Sequence, residues 1–251
     1  MRERVYRTEG LILRRSDFGE ADRLITLATP AGRRRVVAKG VRKTTSKLAG
    51  HLELFTHASL LLAIGRNLDL ITQSQTLQAH PALRTDLGRL SCAYYLAELY
   101  DRFTEEEEEN RPLFEVLTSS FSALDSSVNP DLVVRAFELR LLHLAGYRPH
   151  LHYCAACNTR LTEAANRFSP AFGGTLCPDD QSLDRNALPM EGPTFRLLRY
   201  LQSRPLADIE GLRPSVGVRT EAEQLLRAFI RQLLERELKS VAFLDAVRAV
   251  E

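Results

Sequence analysis

The chain has 251 residues, 44% of them apolar, with 34 Lys and Arg against 32 Asp and Glu. It is long enough for one large domain or two to three small ones with real cores. No run of eighteen apolar residues exists and Met1-Arg-Glu-Arg-Val lacks the apolar core of a secretory signal, so a cytoplasmic protein without membrane spans is expected.

The net charge of +2 conceals an asymmetry: residues 1–80 carry 14 Lys and Arg against 7 Asp and Glu, leaving 20 against 25 for residues 81–251. A basic N-terminal part suggests a polyanion partner, and the acidic remainder suggests scaffold and protein contact surface.

From Val5 to Ala79 short β-type runs alternate with turn signals. Thr8 to Arg15, Asp22 to Thr29, Arg34 to Lys39, Leu52 to Ile64 and Leu68 to Leu77 give five candidate strands. Pro30-Ala-Gly32 and Gly65-Arg-Asn67 suit hairpin turns. Five short antiparallel strands in so few residues fit an OB-type β-barrel over residues 1–80, with an SH3-like barrel as the alternative. Arg33, Arg34, Arg35, Lys39, Arg42, Lys43 and Lys47 form a run with no acidic residue among them. Gly40 and the following Thr/Ser stretch imply a flexible connection, so these cations can follow a phosphate backbone, although many charge runs are only solvated loops. Tyr6, Phe18 and Phe55 are the barrel's aromatics, and Phe55 reads as core; stacking should therefore contribute less than phosphate contacts.

From Pro81 the period becomes helical. Leu83, Leu87, Leu90, Tyr94, Tyr95, Leu99 and Phe103 mark one amphipathic helix, with Cys92 as a buried apolar residue inside it. Glu105 to Glu109 reads as its solvated end, a loop, or a contact for a basic partner. Pro112 opens a helix to Leu124, and Asn129-Pro-Asp131 caps another from Leu132 to Ala145, closed by Gly146. His143 reads as a satisfied core histidine.

Cys154-Ala-Ala-Cys157, nineteen intervening residues and Cys177-Pro-Asp-Asp180 have the spacing of a structural zinc site, because each short turn offers two ligands to one tetrahedral ion. Asp180 stands where a fourth cysteine is usual; a carboxylate is an acceptable ligand, and His152, Asp179 or water are its rivals. A redox pair, a disulfide framework and a zinc loop that no longer binds metal are the alternative readings. Beyond the cysteines, Gly192-Pro193 opens a helix from Thr194 to Ser203, and Thr220-Glu-Ala-Glu223 reads as a capping box for a helix from Glu221 to Leu238. The chain is thus expected to be an α+β multidomain protein: a nucleic-acid-binding barrel over 1–80, a helical domain in two parts over 81–150 and 185–251, and a zinc-finger-like insertion over 151–184. G-x-x-x-x-G-K-[ST], G-x-G-x-x-G, G-x-S-x-G and H-E-x-x-H are all absent, which favours binding over nucleotide hydrolysis or catalysis.

Several of these stretches together resemble the RecO family of bacterial recombinational repair mediators. In the barrel they are Thr8-Glu-Gly-Leu-Ile-Leu, Phe18-Gly-Glu-Ala-Asp-Arg-Leu-Ile, Ala38-Lys-Gly-Val-Arg-Lys and Ser46-Lys-Leu. Further on they are Phe137-Glu-Leu-Arg-Leu-Leu, Gly146-Tyr-Arg-Pro149, the first cysteine knuckle and Phe168 to Cys177. The resemblance implies an OB barrel, a helical domain and a zinc-finger-like insertion. It also implies binding of single- and double-stranded DNA, annealing of complementary strands, and partnership with RecR and single-stranded DNA-binding protein to load RecA. By position, Arg14, Arg15, Lys39, Arg42, Lys43 and Lys47 become DNA-contact candidates. Asp180 and Asn158 depart from the family pattern, which has cysteine and glycine there. A zinc-dependent hydrolase and a protein-interaction adaptor are the rival functions.

Overall fold

The computed structural model describes residues 4–250, which divide into two compact units, Met1–Ser126 and Ser127–Glu251. In the first unit, β1 (Val5–Phe18), β2 (Asp22–Thr29), β3 (Gly32–Ala38), β4 (His57–Ala63) and β5 (Asp69–Gln78) close a barrel of order β1-β2-β3-β5-β4. β1 is long enough to pair with both β2 and β4, with a register shift between Ile12 and Arg14 marking where it bends from one partner to the other. Closure comes from a short parallel pairing of Val36 and Val37 with Asp69 and Leu70. Alternation fills the interior with Ile12, Ile25, Leu27, Val36, Leu60, Leu62 and Ile71, because successive strand residues face opposite sides.

The expected strand from Leu52 begins only at His57. Leu52 to Thr56 turns instead, and Phe55 takes a positive φ of 63°. A bulky residue adopts this conformation only when packing over-determines it. Here the Phe55 ring lies 5.1 Å from Tyr94 and 5.3 Å from Phe121 at their centroids, fully buried.

Those partners belong to α2 (Leu87–Arg102) and α3 (Arg111–Ser126), which with the single turn α1 (Ala82–Thr85) complete the first unit. The one helix expected from Leu83 to Phe103 is therefore two. Asp86 is extended and caps α2 by accepting from the Arg89 amide at 2.9 Å, a stronger local signal than the unbroken apolar period. Residues 103–110 form a loop rather than a helix end. It lies along β3, with the Glu107 amide donating to the Arg33 carbonyl at 3.1 Å and the Asn110 amide to the Pro30 carbonyl at 3.3 Å. Gly32, at φ +90°, sits under this loop; a Cβ there would come 2.5 Å from the Glu108 carbonyl oxygen.

The second unit holds α4 (Pro130–Leu144), a three-stranded sheet of β6 (Asn166–Ser169), β7 (Gly174–Leu176) and β8 (Leu188–Met190), then α5 (Gly192–Ser203), α6 (Val216–Leu234) and α7 (Lys239–Arg248). α4 starts on Pro130, preset for a first helical turn. Asn129 makes no side-chain cap and donates to the Leu212 carbonyl at 3.3 Å instead. His143 is exposed, not a core residue. At 3.6 residues per turn the four positions Leu141 to Leu144 cannot all face inward, and the core takes Leu141 and Leu142. The capping box at Thr220 does not form. α6 begins a turn earlier, where the Ser215 hydroxyl accepts from the Val218 amide, and ends at Glu235 with φ 53°. Phe168 of β6 meets Phe229 of α6 edge-to-face at 5.8 Å, tying the sheet to the helices.

Candidate metal centre and nucleic-acid interface

The two cysteine knuckles are brought together by backbone pairing. The Thr175 amide donates to the His150 carbonyl and the Ala155 amide to the Thr175 carbonyl, both at 2.8 Å. Gly174 permits this approach, since a Cβ there would lie 2.5 Å from the His150 nitrogen. The first knuckle closes through Asn158 N–H to Cys154 C=O at 3.0 Å and Cys154 N–H to Thr159 C=O at 2.8 Å. In the second, Asp180 N–H donates to Cys177 C=O at 3.1 Å.

The outcome is one cluster: the ligand atoms of Cys154, Cys157, Cys177 and Asp180 all lie within 4.8 Å of one another. Cys157 and Cys177 sulfurs are 3.9 Å apart, and an Asp180 oxygen is 3.1 Å from Cys154 and 3.3 Å from Cys177. A tetrahedral zinc ion with Zn–S of about 2.3 Å and Zn–O of about 2.0–2.2 Å spaces its donors roughly 3.5–3.8 Å apart. The residues present therefore fit such an ion. All four cysteines of the chain are free thiols. His152 lies outside the cluster, taking a hydrogen bond from Arg199 on Nδ1 at 3.1 Å. Asp179 is exposed and also outside. The Cys157, Cys154 and Cys177 thiols hold the Asp180 carboxyl below the usual carboxylate range, which keeps an anionic oxygen ready for a cation.

Asn158, the departure after the first knuckle, adopts φ 59°. Asparagine is the side chain that best tolerates this left-handed conformation after glycine. Asn158→Gly should accordingly leave stability within about 0.5 kcal/mol, whereas Asn158→Val should cost about 1–2 kcal/mol. Denaturant titration with metal content measured in parallel reads this difference, and equal stability of the two variants would contradict it.

The nine candidate DNA-contact residues divide into two groups. Five already face carboxylates. Arg14 and Arg33 both meet Asp101, at 2.6 Å each. Arg15 meets Glu53 at 2.8 Å. Arg34 lies 3.5 Å from Glu107 and 4.0 Å from Asp69, with its guanidinium over the Tyr6 ring. The Tyr6 phenol donates to Asp69, and burial followed by this bond pushes its pKa up to about 12. Arg42 lies 3.4 Å from Asp17 with both side chains well exposed, a pairing worth little in water. Arg35, Lys39, Lys43 and Lys47 are exposed and have no carboxylate within 4.0 Å among the described residues.

The loop from Gly40 is pinned rather than free. Gly40 N–H donates to the Asp22 carboxylate at 2.7 Å, and Arg42 N–H to the Ala21 carbonyl at 3.0 Å. Lys39, Arg42 and Lys43 are thereby fixed beside the β1–β2 turn. What sequence reasoning missed is the masking of Arg33 and Arg34 by Glu106 and Glu107; the acidic run was visible, its partner was not. No helix among the described residues is long and apolar enough to cross a membrane.

Comparison with known proteins places these features in a family. A model described as Recombination protein O N terminal matches residues 1–80, and one described as Recombination protein O C terminal matches residues 84–242. The chain is 58% identical over 248 residues to the DNA repair protein RecO of Roseiflexus sp. (strain RS-1), covering 99% of this chain and 88% of that protein. It is 38% identical over 243 residues to the DNA repair protein RecO of Dehalococcoides mccartyi, covering 96% of each. It is 39% identical over 247 residues to that of a Nocardioides species, covering 96% of this chain and 99% of the relative. With a five-stranded barrel, a helical second unit, a four-residue metal-type cluster and matches over nearly its whole length, the chain belongs to the RecO family of DNA repair proteins.

Proposed function

We propose that this protein is a non-enzymatic DNA-binding mediator of recombinational repair, acting in the cytoplasm, which binds single- and double-stranded DNA and anneals complementary strands. The observation that carries the reading is the group of exposed cations on β3 and in the loop after it, Arg35, Lys39, Lys43 and Lys47, with the weakly paired Arg42 among them. Two strands neutralised on such a surface repel each other less, while base pairing supplies the sequence information. Partnership with RecR and single-stranded DNA-binding protein, and through them loading of RecA, belongs to the same proposal and is supported by family membership.

Arg14, Arg15, Arg33 and Arg34 serve a different purpose in this reading: their carboxylate partners commit them to ion pairs within the first unit. About five cations then remain for phosphates on a single strand. The expected slope of log K against log salt is near −3.5, at roughly −0.7 per contact. The cysteine–aspartate cluster is assigned one zinc ion with a structural role, since four protein donors close a tetrahedral shell. When bound, the ion would cross-link the two knuckles; the hydrolase reading needs an open position, which the clustered Asp180 carboxylate would occupy.

The test is a fluorescence annealing assay with complementary oligonucleotides and no nucleotide, comparing wild type with Arg42→Ala/Lys43→Ala. Losing two contacts should weaken single-strand affinity on the order of 10- to 30-fold near 0.1 M salt and flatten the slope to about −2.1. Annealing should fall with it while the fold and metal content stay unchanged. Pairing of five of the nine candidates with carboxylates favours a second reading, an adaptor whose basic run is only solvated. Unchanged affinity in the double variant and a slope near zero would select that reading.

A further inference from the structure

β1, β2 and β3 present a common outer face, and its rows can be read from the register. Cross-strand partners share a face, so Arg14, Thr26 and Arg35 form one row, and Ser16, Leu24 and Val37 the next. Phe18 and Asp22 form the last row, beside the β1–β2 turn. Ile25 and Val36, one residue out of phase, face the barrel interior.

Phe18 is 48% exposed there, although barrel aromatics normally bury. Gly19 turns the chain at φ +60°, and a Cβ on it would meet nothing within 4 Å, so the tip stands in open space. Among the described residues no ring or cation stacks on Phe18. The same tip anchors the cationic loop: Ala21 accepts from the Arg42 amide, Asp22 from the Gly40 amide, and Asp17 pairs with the Arg42 side chain. An unstacked aromatic thus ends the strand face that carries Arg35, at the turn to which the loop carrying Arg42 and Lys43 is tied.

We propose that Phe18 is a stacking platform for an unpaired base, with the surrounding cations holding the flanking phosphates. OB barrels bind oligonucleotides across strands 2 and 3 and the loop joining strands 1 and 2, which is where Phe18 lies. Stacking of this kind is tolerant of base identity because every base has a π-face. Duplex DNA hides its base faces, so Phe18 distinguishes single from double strands whereas the cations do not. The inference rests on the proposed DNA binding and adds the strand-form preference to it.

The chain contains no tryptophan, so Phe18→Trp introduces a single fluorescent reporter. Its emission should be quenched by oligo-dT and left unchanged by the same concentration of blunt duplex or inorganic polyphosphate. Phe18→Leu, which keeps an apolar side chain at the tip, should lose single-strand affinity about 10-fold or more, with duplex affinity and the salt slope unchanged. Emission unmoved at saturating oligo-dT, or a Phe18→Leu variant that binds single strands as wild type does or loses both forms equally, would overturn the stacking role. If Arg42→Ala/Lys43→Ala still weakens binding in those experiments, the DNA-binding reading stands without it. If neither variant changes affinity, both fail together.

Discussion

Cys177→Ser should yield protein that no longer retains zinc, with the 150–190 region cleaved rapidly by protease while the first unit resists. Structural zinc sites carry apparent binding energies of about 10–16 kcal/mol in small peptides at neutral pH. Here the sheet β6–β8 and the packing of Phe168 against Phe229 provide support of their own. The loss is therefore expected to be smaller, several kcal/mol on the stability of the second unit. A strong chelator should reproduce it on wild type, and readdition of zinc should reverse it. Because thiols must deprotonate to bind, retention of the ion should weaken as pH falls. Elemental analysis, proteolysis and denaturant titration together read the effect. Wild type that purifies without metal and has the same unfolding midpoint with and without zinc would instead identify a loop that has outlived its metal.

Glu138→Ala should cost about 3–5 kcal/mol in the second unit, comparable to the metal's effect and in the unit that carries none of the proposed DNA contacts. Glu138 is fully buried on α4 and lies 3.0 Å from Arg135, which is 2% exposed. Truncation leaves the guanidinium in a low-dielectric interior with the Glu223 carboxylate 3.9 Å away. Glu223 is itself committed to Arg227 and Arg248, at 2.6 Å each, so it can compensate only in part. Replacing both partners by apolar residues, Arg135→Met with Glu138→Leu, should recover most of the loss, because neither charge then needs a counterion. A single variant that shifts the unfolding free energy by less than 1 kcal/mol would show that the pair is solvated in solution. DNA affinity should be unchanged in both.

How much of this was legible beforehand follows from the range of the interactions concerned. The barrel could be read because strand alternation and hairpin turns are local, and four of the five expected strands overlap their observed positions closely. The three cysteines of the metal-type cluster were legible, since CxxC and CPxD spacing fixes geometry within each short turn, whereas its fourth member was open among Asp180, His152 and Asp179. The misreadings each involve a contact distant in sequence. Leu52 to Thr56 looked like a strand until Phe55 met Tyr94 and Phe121. His143 looked buried because its neighbours are apolar, but helix geometry at the end of α4 gave the core to Leu141 and Leu142. Thr220 had the pattern of a cap, yet Ser215 took that role five residues earlier.

The sequence by itself determined the family, the barrel, the three clustered cysteines and the concentration of positive charge in residues 1–80. Each depends on residue identity at short spacing or on summed charge. Only the tertiary structure decided which cations are open to a phosphate backbone. Arg33 and Arg34 are indistinguishable from Arg35 in the sequence, but the 103–110 loop runs along β3 and places Glu106 and Glu107 against the first two alone. The structure likewise set Asp180 rather than His152 beside the three sulfurs, because backbone pairing between the knuckles turns one inward while Arg199 holds the other away. Coulombic interactions fall off with distance through space, and that distance is fixed by the fold.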